Sequence, residues 1–270
     1  MHGVRVERVR DIPAIETRRD VTRAHRIAFH LLLLPHRGAV RHMVDFADHT
    51  LGPDDVLWVR PGQVHRFVTD PARCDATTVI IEPGFLDPRT ASAAGLDVWD
   101  SLAVLHPTTI ERPLVNLALA HLQAEYEAAL TTPPDRAVTL VRHCLAAFVL
   151  RIGSASIASR PPSPVSPLFA QFRKAVERDF TRTRSVSAYA HTLGYSRRTV
   201  ASTVKTATGQ TAKEFIDARV ILEAKRLLAH TDLPAWRIGT HLGFADAANF
   251  SAYFRQHTGT APAAFRTAQI

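Results

Sequence analysis

The feature that most constrains this chain is an internal near-repeat in its last hundred residues. One copy reads SVSAYAHTLGYSRRTVASTVKTATG (185–209) and the other PAWRIGTHLGFADAANFSAYFRQHTG (234–259). Each predicts an apolar helix, a Leu-Gly-aromatic turn (Leu193-Gly194-Tyr195 and Leu242-Gly243-Phe244) and a second helix ending in Thr-Gly. A small residue, Ala190 or Gly239, stands four positions before each turn glycine. Two helices joined by so tight a turn cross closely, so the crossing needs a small side chain and the turn a residue tolerant of positive φ. The second helices open on Ser196 and Asp246, whose oxygens can satisfy the free amides of a first turn. Their inward stripes are Val200 and Val204 in one, and Phe250, Tyr253 and Phe254 in the other. One such match is weak; two in register specify a pair of helix-turn-helix motifs.

Between the copies lies TAKEFIDARVILEAKRLLAHT (211–231). Thr211 and Glu214 have capping-box spacing. Phe215, Ala218, Ile221, Leu222, Lys225 and Leu228 then mark a continuous helix of about 18 residues, roughly 27 Å long. A rigid spacer of that length would hold two recognition helices about one DNA turn apart, roughly 34 Å, so that one chain reads two successive major grooves. The predicted DNA-facing residues of the first motif are Arg197, Arg198, Ser202 and Lys205. Arg197 or Arg198, near a helix N-terminus, suits a bidentate guanine contact, worth about 1–3 kcal/mol of discrimination. Lys205 suits phosphate. The second motif offers Asn249 for adenine, Ser251, and Arg255 for phosphate, among alanines 247, 248 and 252. The first motif is therefore expected to do most of the base reading and the second mainly to anchor. Charge agrees: residues 168–270 carry 15 Lys and Arg against 7 Asp and Glu, while residues 1–167 carry 18 of each.

Upstream the periodicity changes. RIAFHLLLL, AVRHMVDF, DVLWV and ATTVIIE, within 25–82, are short, β-branched segments separated by Pro, Gly and Asp, as in a small barrel or sandwich. Residues 112–130 and 137–152 then predict two helices either side of Pro133–Pro134, the first with a stripe of Leu114, Leu117, Ala118, Leu122 and Tyr126. Their apolar surplus points to a partner chain. GSASIASRPPSPVSP (153–167) reads as an interdomain linker. The expected order is a sensing domain over 1–110, a helical hairpin over 111–152, a linker over 153–167 and a DNA-binding domain over 168–270. The longest apolar run, Ile27 to Leu34, is far short of the roughly 20 residues that span a bilayer, and no secretory leader is visible. With two unpaired cysteines, Cys74 and Cys144, a reducing cytoplasm is expected.

The C-terminal block, most specifically IGTHLGFADAANFSAYFRQHTGTAPAAFR, resembles the DNA-binding domain of AraC/XylS transcription regulators. The segment 40–67, with Val44-Asp45-Phe46 and Pro61-Gly62-Gln63-Val64-His65, resembles the cupin-type sensor domain of the same family. The resemblance implies an α+β chain: a cupin-like β-barrel with a helical hairpin, then an all-α domain with two helix-turn-helix motifs joined by a long helix. It further implies a small-molecule effector in the barrel, with His30, His42, Trp58 and His65 as pocket candidates. A homodimer, promoter DNA and RNA polymerase are the implied partners, with activation favoured over repression. The rival reading is a metal-dependent cupin enzyme fused to a DNA-binding tail. Its usual first motif needs two histidines one residue apart followed by a glutamate, whereas His42 stands alone and only His65 matches a ligand position. No metal, cofactor or catalytic residue is therefore expected. A non-specific architectural DNA binder is the third reading, disfavoured by two ordered motifs beside a sensor-like region.

Overall fold

The structure is a computed structural model that describes residues 3–12, 21–96, 103–129, 131, 133–158 and 166–269. The chain divides into two compact units, Met1–Pro161 and Pro162–Ile270.

The first unit holds nine strands among the described residues: β1 (Val4–Arg8), β2 (His25–Arg26), β3 (His30–Arg37), β4 (Val40–Val44), β5 (Ala47–Leu51), β6 (Val56–Val59), β7 (Val64–Phe67), β8 (Asp75–Ile81) and β9 (Val104–Leu105). They form two antiparallel sheets, ordered β1-β8-β3-β6-β9 and β2-β7-β4-β5. The sequence suggested a small barrel or sandwich, and the two sheets share one core with no ladder joining one to the other among the described residues. The run Leu31–Leu34 is continuously apolar because its sheet is covered on both faces. Leu31 and Leu33 point into a core shared with Val40, Val44, Leu51 and Phe67 of the other sheet. Leu32 and Leu34 point into a second core, against helices.

Those helices are α1 (Pro88–Ala93), α2 (Glu111–Ala128) and α3 (Pro134–Ala158). The pair α2 and α3 buries Val115, Leu119, Leu122, Val141, Leu145, Phe148, Val149 and Ile152. The apolar stripe predicted for α2 is thus turned by part of a turn: Leu122 is buried, but Leu117 is 69% and Leu114 39% exposed. The helix carries two apolar stripes, and the sheet takes the one through Val115 and Leu119. The linker expectation also needs correction at its start. Helix α3 runs six residues past Ile152 to Ala158. Gly153 belongs to it and packs closely on Ala94, since a Cβ there would lie 2.8 Å from the Ala94 carbonyl oxygen. Residues 159–165 of that segment lie outside the described residues.

The second unit is helical: α4 (Pro167–Asp179), α5 (Val186–Leu193), α6 (Arg197–Thr208), α7 (Ala212–His230), α8 (Ala235–His241), α9 (Ala247–Thr258) and α10 (Pro262–Thr267). One core serves both motifs, with Tyr189, Val200 and Val204 from the first and Ile238, Leu242, Phe250 and Phe254 from the second packed around Ile216, Val220 and Ala224 of α7. The capping box of Thr211 and Glu214 is formed at both of its hydrogen bonds.

Candidate nucleic-acid interface and sensor region

Each motif is built as its residue types require. Gly194 and Gly243 take φ +73° and +75°, a region that L side chains rarely adopt. A Cβ on Gly239 would come 2.9 Å from Phe250 Cβ, so α8 and α9 cross against a bare backbone. Gly243 is pinned more tightly still: a Cβ there would meet the Thr181 carbonyl oxygen at 2.2 Å. Arg184 holds the same turn by donating to the Leu242 and Gly243 carbonyls at 3.0 and 3.3 Å, with its guanidinium 3.9 Å above the Phe244 ring. The residues just before α5 therefore brace the turn of the other motif.

The N-caps differ in a way that matters. Ser196 accepts the Thr199 N–H at 3.1 Å. Asp246 accepts the Asn249 N–H at 2.7 Å and also the Asn249 side-chain amide at 2.6 Å. On α6, Arg197, Arg198 and Ser202 are exposed, and their side chains make no hydrogen bond or ion pair among the described residues. Lys205 is exposed but lies along the helix end, donating to the Gly209 carbonyl at 2.5 Å. On α9, Arg255 is exposed, Ser251 is half-buried, and Asn249 is held by its own cap.

Much of the basic excess is structural. Arg219 is buried, binds Glu177 through two bonds of 2.6 and 2.8 Å, and reaches Glu223 at 3.3 Å. Arg266 donates to the Leu228 carbonyl, and Arg178 pairs with Asp179. On α6, Arg197 and Arg198 have no hydrogen bond or ion pair among the described residues, and Arg255 on α9 is likewise exposed without an ion pair there.

The four pocket candidates of the first unit do not line one space. Trp58 donates its indole N–H to His30 Nδ1 at 3.3 Å on the helix-facing side of the five-stranded sheet. Arg60 lies 4.6 Å over the Trp58 ring, and burial together with Arg60 pulls His30 down to about 4. His42 and His65 belong to the opposite sheet, where His42 Nε2 lies 2.9 Å from His65 Nδ1. All four are buried side chains packed in their cores rather than the walls of one open pocket.

Register shows what the sequence reading missed. His25 pairs with His65, Val44 with His65, and His42 with His49, so a histidine from each strand of the four-stranded sheet shares one face. Period-2 alternation on each strand was the available signal, but the register between strands was not. Burial, followed by the neighbouring His25 and His49, lowers His42 to about 3; burial holds His65 well below the usual histidine value. Both are neutral at pH 7. His42 Nδ1 and His65 Nε2 are buried without a hydrogen-bond partner among the described residues. No three His, Cys, Asp or Glu side chains among the described residues stand where they could hold a metal ion.

The two segments quoted for the sensor resemblance meet in space. Asp45 accepts the Val64 N–H at 3.1 Å and the Gln63 amide at 2.7 Å, tying the β4–β5 turn to the loop before β7. Asp45 and Phe46 both have positive φ, the conformation of a two-residue hairpin turn.

The chain thus combines a two-sheet domain and a helical hairpin with a helical unit that carries two helix-turn-helix motifs on one core. Residues 12–131 match the AraC-like ligand binding domain, and residues 189–268 match a helix-turn-helix domain. These segments take in most of the chain, which belongs to the AraC family of transcription regulators. It is 32% identical over 91 residues to the HTH-type transcriptional activator RhaS of Escherichia fergusonii, covering 34% of this chain and 33% of that protein. It is 32% identical over 81 residues to the probable transcription factor PqrA of Proteus vulgaris, covering 30% of this chain and 66% of that one. The match thus spans about a third of the first relative's length. Among solved structures it is similar to ToxT from Vibrio cholerae, with 12% identity, a TM-score of 0.48 and 91% of each chain covered. No helix among the described residues is long and apolar enough to cross a membrane.

Proposed function

We propose that this chain is a sequence-specific transcription regulator, controlled by a small-molecule effector, that works in the cytoplasm as a homodimer and favours activation. The observation that carries the reading is the pair Arg197 and Arg198, free and exposed at the capped start of α6, beside a second motif on the same core. Guanidinium groups at a helix N-terminus in a major groove suit guanine O6 and N7. Ser202 and Lys205 extend that face. Lys205 reaches phosphate by releasing the Gly209 carbonyl. Asn249, Ser251 and Arg255 form the lesser surface on α9, with Arg255 on phosphate. Together the motifs would take two successive major grooves of double-stranded promoter DNA.

Dimerisation is assigned to the helical hairpin, whose outer side leaves Ile110, Leu114 and Leu117 in solvent. Effector binding acts by favouring one of two states, which requires different affinity for each. Contact with RNA polymerase is the route by which a bound activator would work. The chain is not read as an enzyme.

Footprinting on promoter DNA after binding-site selection tests the reading. It predicts two protected patches about 10 base pairs apart on one face of the duplex, with specific binding at least about 10³-fold tighter than non-specific. Even protection without a selected sequence would instead support an architectural binder.

A further inference from the structure

A cavity of about 380 Å³ opens between α2 and the strands β3 and β6, on the helix-facing side of the five-stranded sheet. Its floor is apolar: Leu34 and Val56 from the sheet, with Val115 and Leu119 from α2, all buried. Its mouth carries two carboxylates, Asp54 and Asp55, from the turn before β6. Asp54 is already paired, its oxygen 2.9 Å from Arg112 Nε. Asp55 contacts the His106 ring at 2.6 Å and accepts the Gly52 N–H at 2.7 Å, with no lysine or arginine in ion-pair reach among the described residues. Its side chain is only 18% exposed, so a cation seated there would meet it in a partly dried site. At the far end, burial and the nearby Arg8 and Arg10 lower His36, leaving it neutral at pH 7. Of the lysine, arginine, aspartate and glutamate side chains, the lining thus holds two carboxylates, Asp54 and Asp55, against one guanidinium, Arg112, above a hydrocarbon floor.

We propose that this cavity binds a protonated amine carried on a compact apolar body, with Asp55 as the counter-ion of the ammonium group. The proposal rests on the reading of this unit as a ligand sensor. It places the site in the seam beneath α2, whereas the space between the sheets is filled by packed side chains and the buried histidines. The position has a regulatory consequence. A ligand resting on Val115 and Leu119 presses on the helix whose other side carries Leu114 and Leu117, so occupancy is transmitted to the surface assigned to dimerisation.

Calorimetric titration of the full chain with n-hexylamine, n-hexanol and hexanoate, which share one apolar body, tests the site. The amine is expected to bind, with the alcohol and the acid at least about ten-fold weaker, the range of a charge-assisted contact. Asp55→Asn, which can still accept from the Gly52 amide, should weaken the amine about ten-fold toward the level of the alcohol. Asn116→Trp, an exposed substitution at the mouth, should abolish binding while circular dichroism confirms the fold. Equal affinity for hexylamine and hexanoate, no binding of the amine, or amine binding unchanged in Asn116→Trp would overturn the proposal. The titration contains no DNA. Failure of the sensor reading would show separately, as amine that binds while operator affinity stays the same.

Discussion

Asp246 caps α9 and, with its second oxygen, holds the side-chain amide of Asn249 at 2.6 Å. The group that the sequence offered for reading adenine is therefore engaged by its own helix cap, and a carboxylate stands at the helix end assigned to DNA. In the first motif the matching cap is an uncharged serine, and the arginines beside it are free. The asymmetry between the motifs is thus written into their caps as well as their exposed faces.

Replacing Asp246 with Ser tests that relationship. Serine caps about as well as aspartate, so stability should change by no more than about 0.5 kcal/mol. Asn249 is released and a negative charge leaves the DNA-reading end, so operator binding should tighten roughly five-fold, about 1 kcal/mol. Fluorescence anisotropy with a labelled operator measures the change; unchanged or weaker binding would contradict the account.

The buried histidines make the first unit acid-sensitive. Unfolded, they regain a value near 6.5, while His42 sits at about 3 and His30 at about 4 in the fold. As pH falls below 6.5 the unfolded chain takes up protons that the folded chain excludes, so stability drops by up to about 1.4 kcal/mol per pH unit for each group. His42→Leu leaves His65 Nδ1 unpaired and should start about 1–3 kcal/mol less stable at pH 7.5. Its stability should nevertheless decline less steeply between pH 6.5 and 4.5. Urea unfolding at several pH values gives both slopes, and parallel slopes would rule out His42 as a contributor.

The exposed side of the hairpin predicts a quaternary effect. Leu117 is 69% exposed, so Leu117→Arg disturbs no core contact and should leave the melting temperature of the isolated chain nearly unchanged. It should convert a dimer to a monomer in light scattering. A variant as dimeric as the wild type would move the interface elsewhere.

The sequence made the second unit legible in detail because its signals are local. Ser196, Asp246, Thr211 with Glu214, and the turn glycines 194 and 243 each act on atoms within a few residues of themselves. Gly239 was legible for the same reason, since its crossing partner Phe250 lies one turn and one helix away. The first unit was less legible because its decisive contacts are distant in sequence. The histidine row depends on register among four strands, and the separation of His30 and Trp58 from His42 and His65 depends on which sheet each strand joins. Helix α2 misled for a third reason: with apolar residues on two stripes, periodicity identifies a helix but cannot say which stripe the sheet will cover. Charge counting was the least specific guide, because Arg219, Arg266 and Arg184 are spent inside the unit on carboxylates and carbonyls.

The central claim is that α6 reads sequence while α9 mainly anchors. Binding-site selection with wild type, Arg198→Ala and Asn249→Ala, followed by sequencing of the bound pools, tests it most directly. The account predicts that Arg198→Ala loses preference at one or two positions in a single half-site, a loss of about 1–3 kcal/mol in discrimination there. Asn249→Ala should keep the wild-type preference at every position. Equal loss of preference in the two variants, or loss confined to Asn249→Ala, would contradict it.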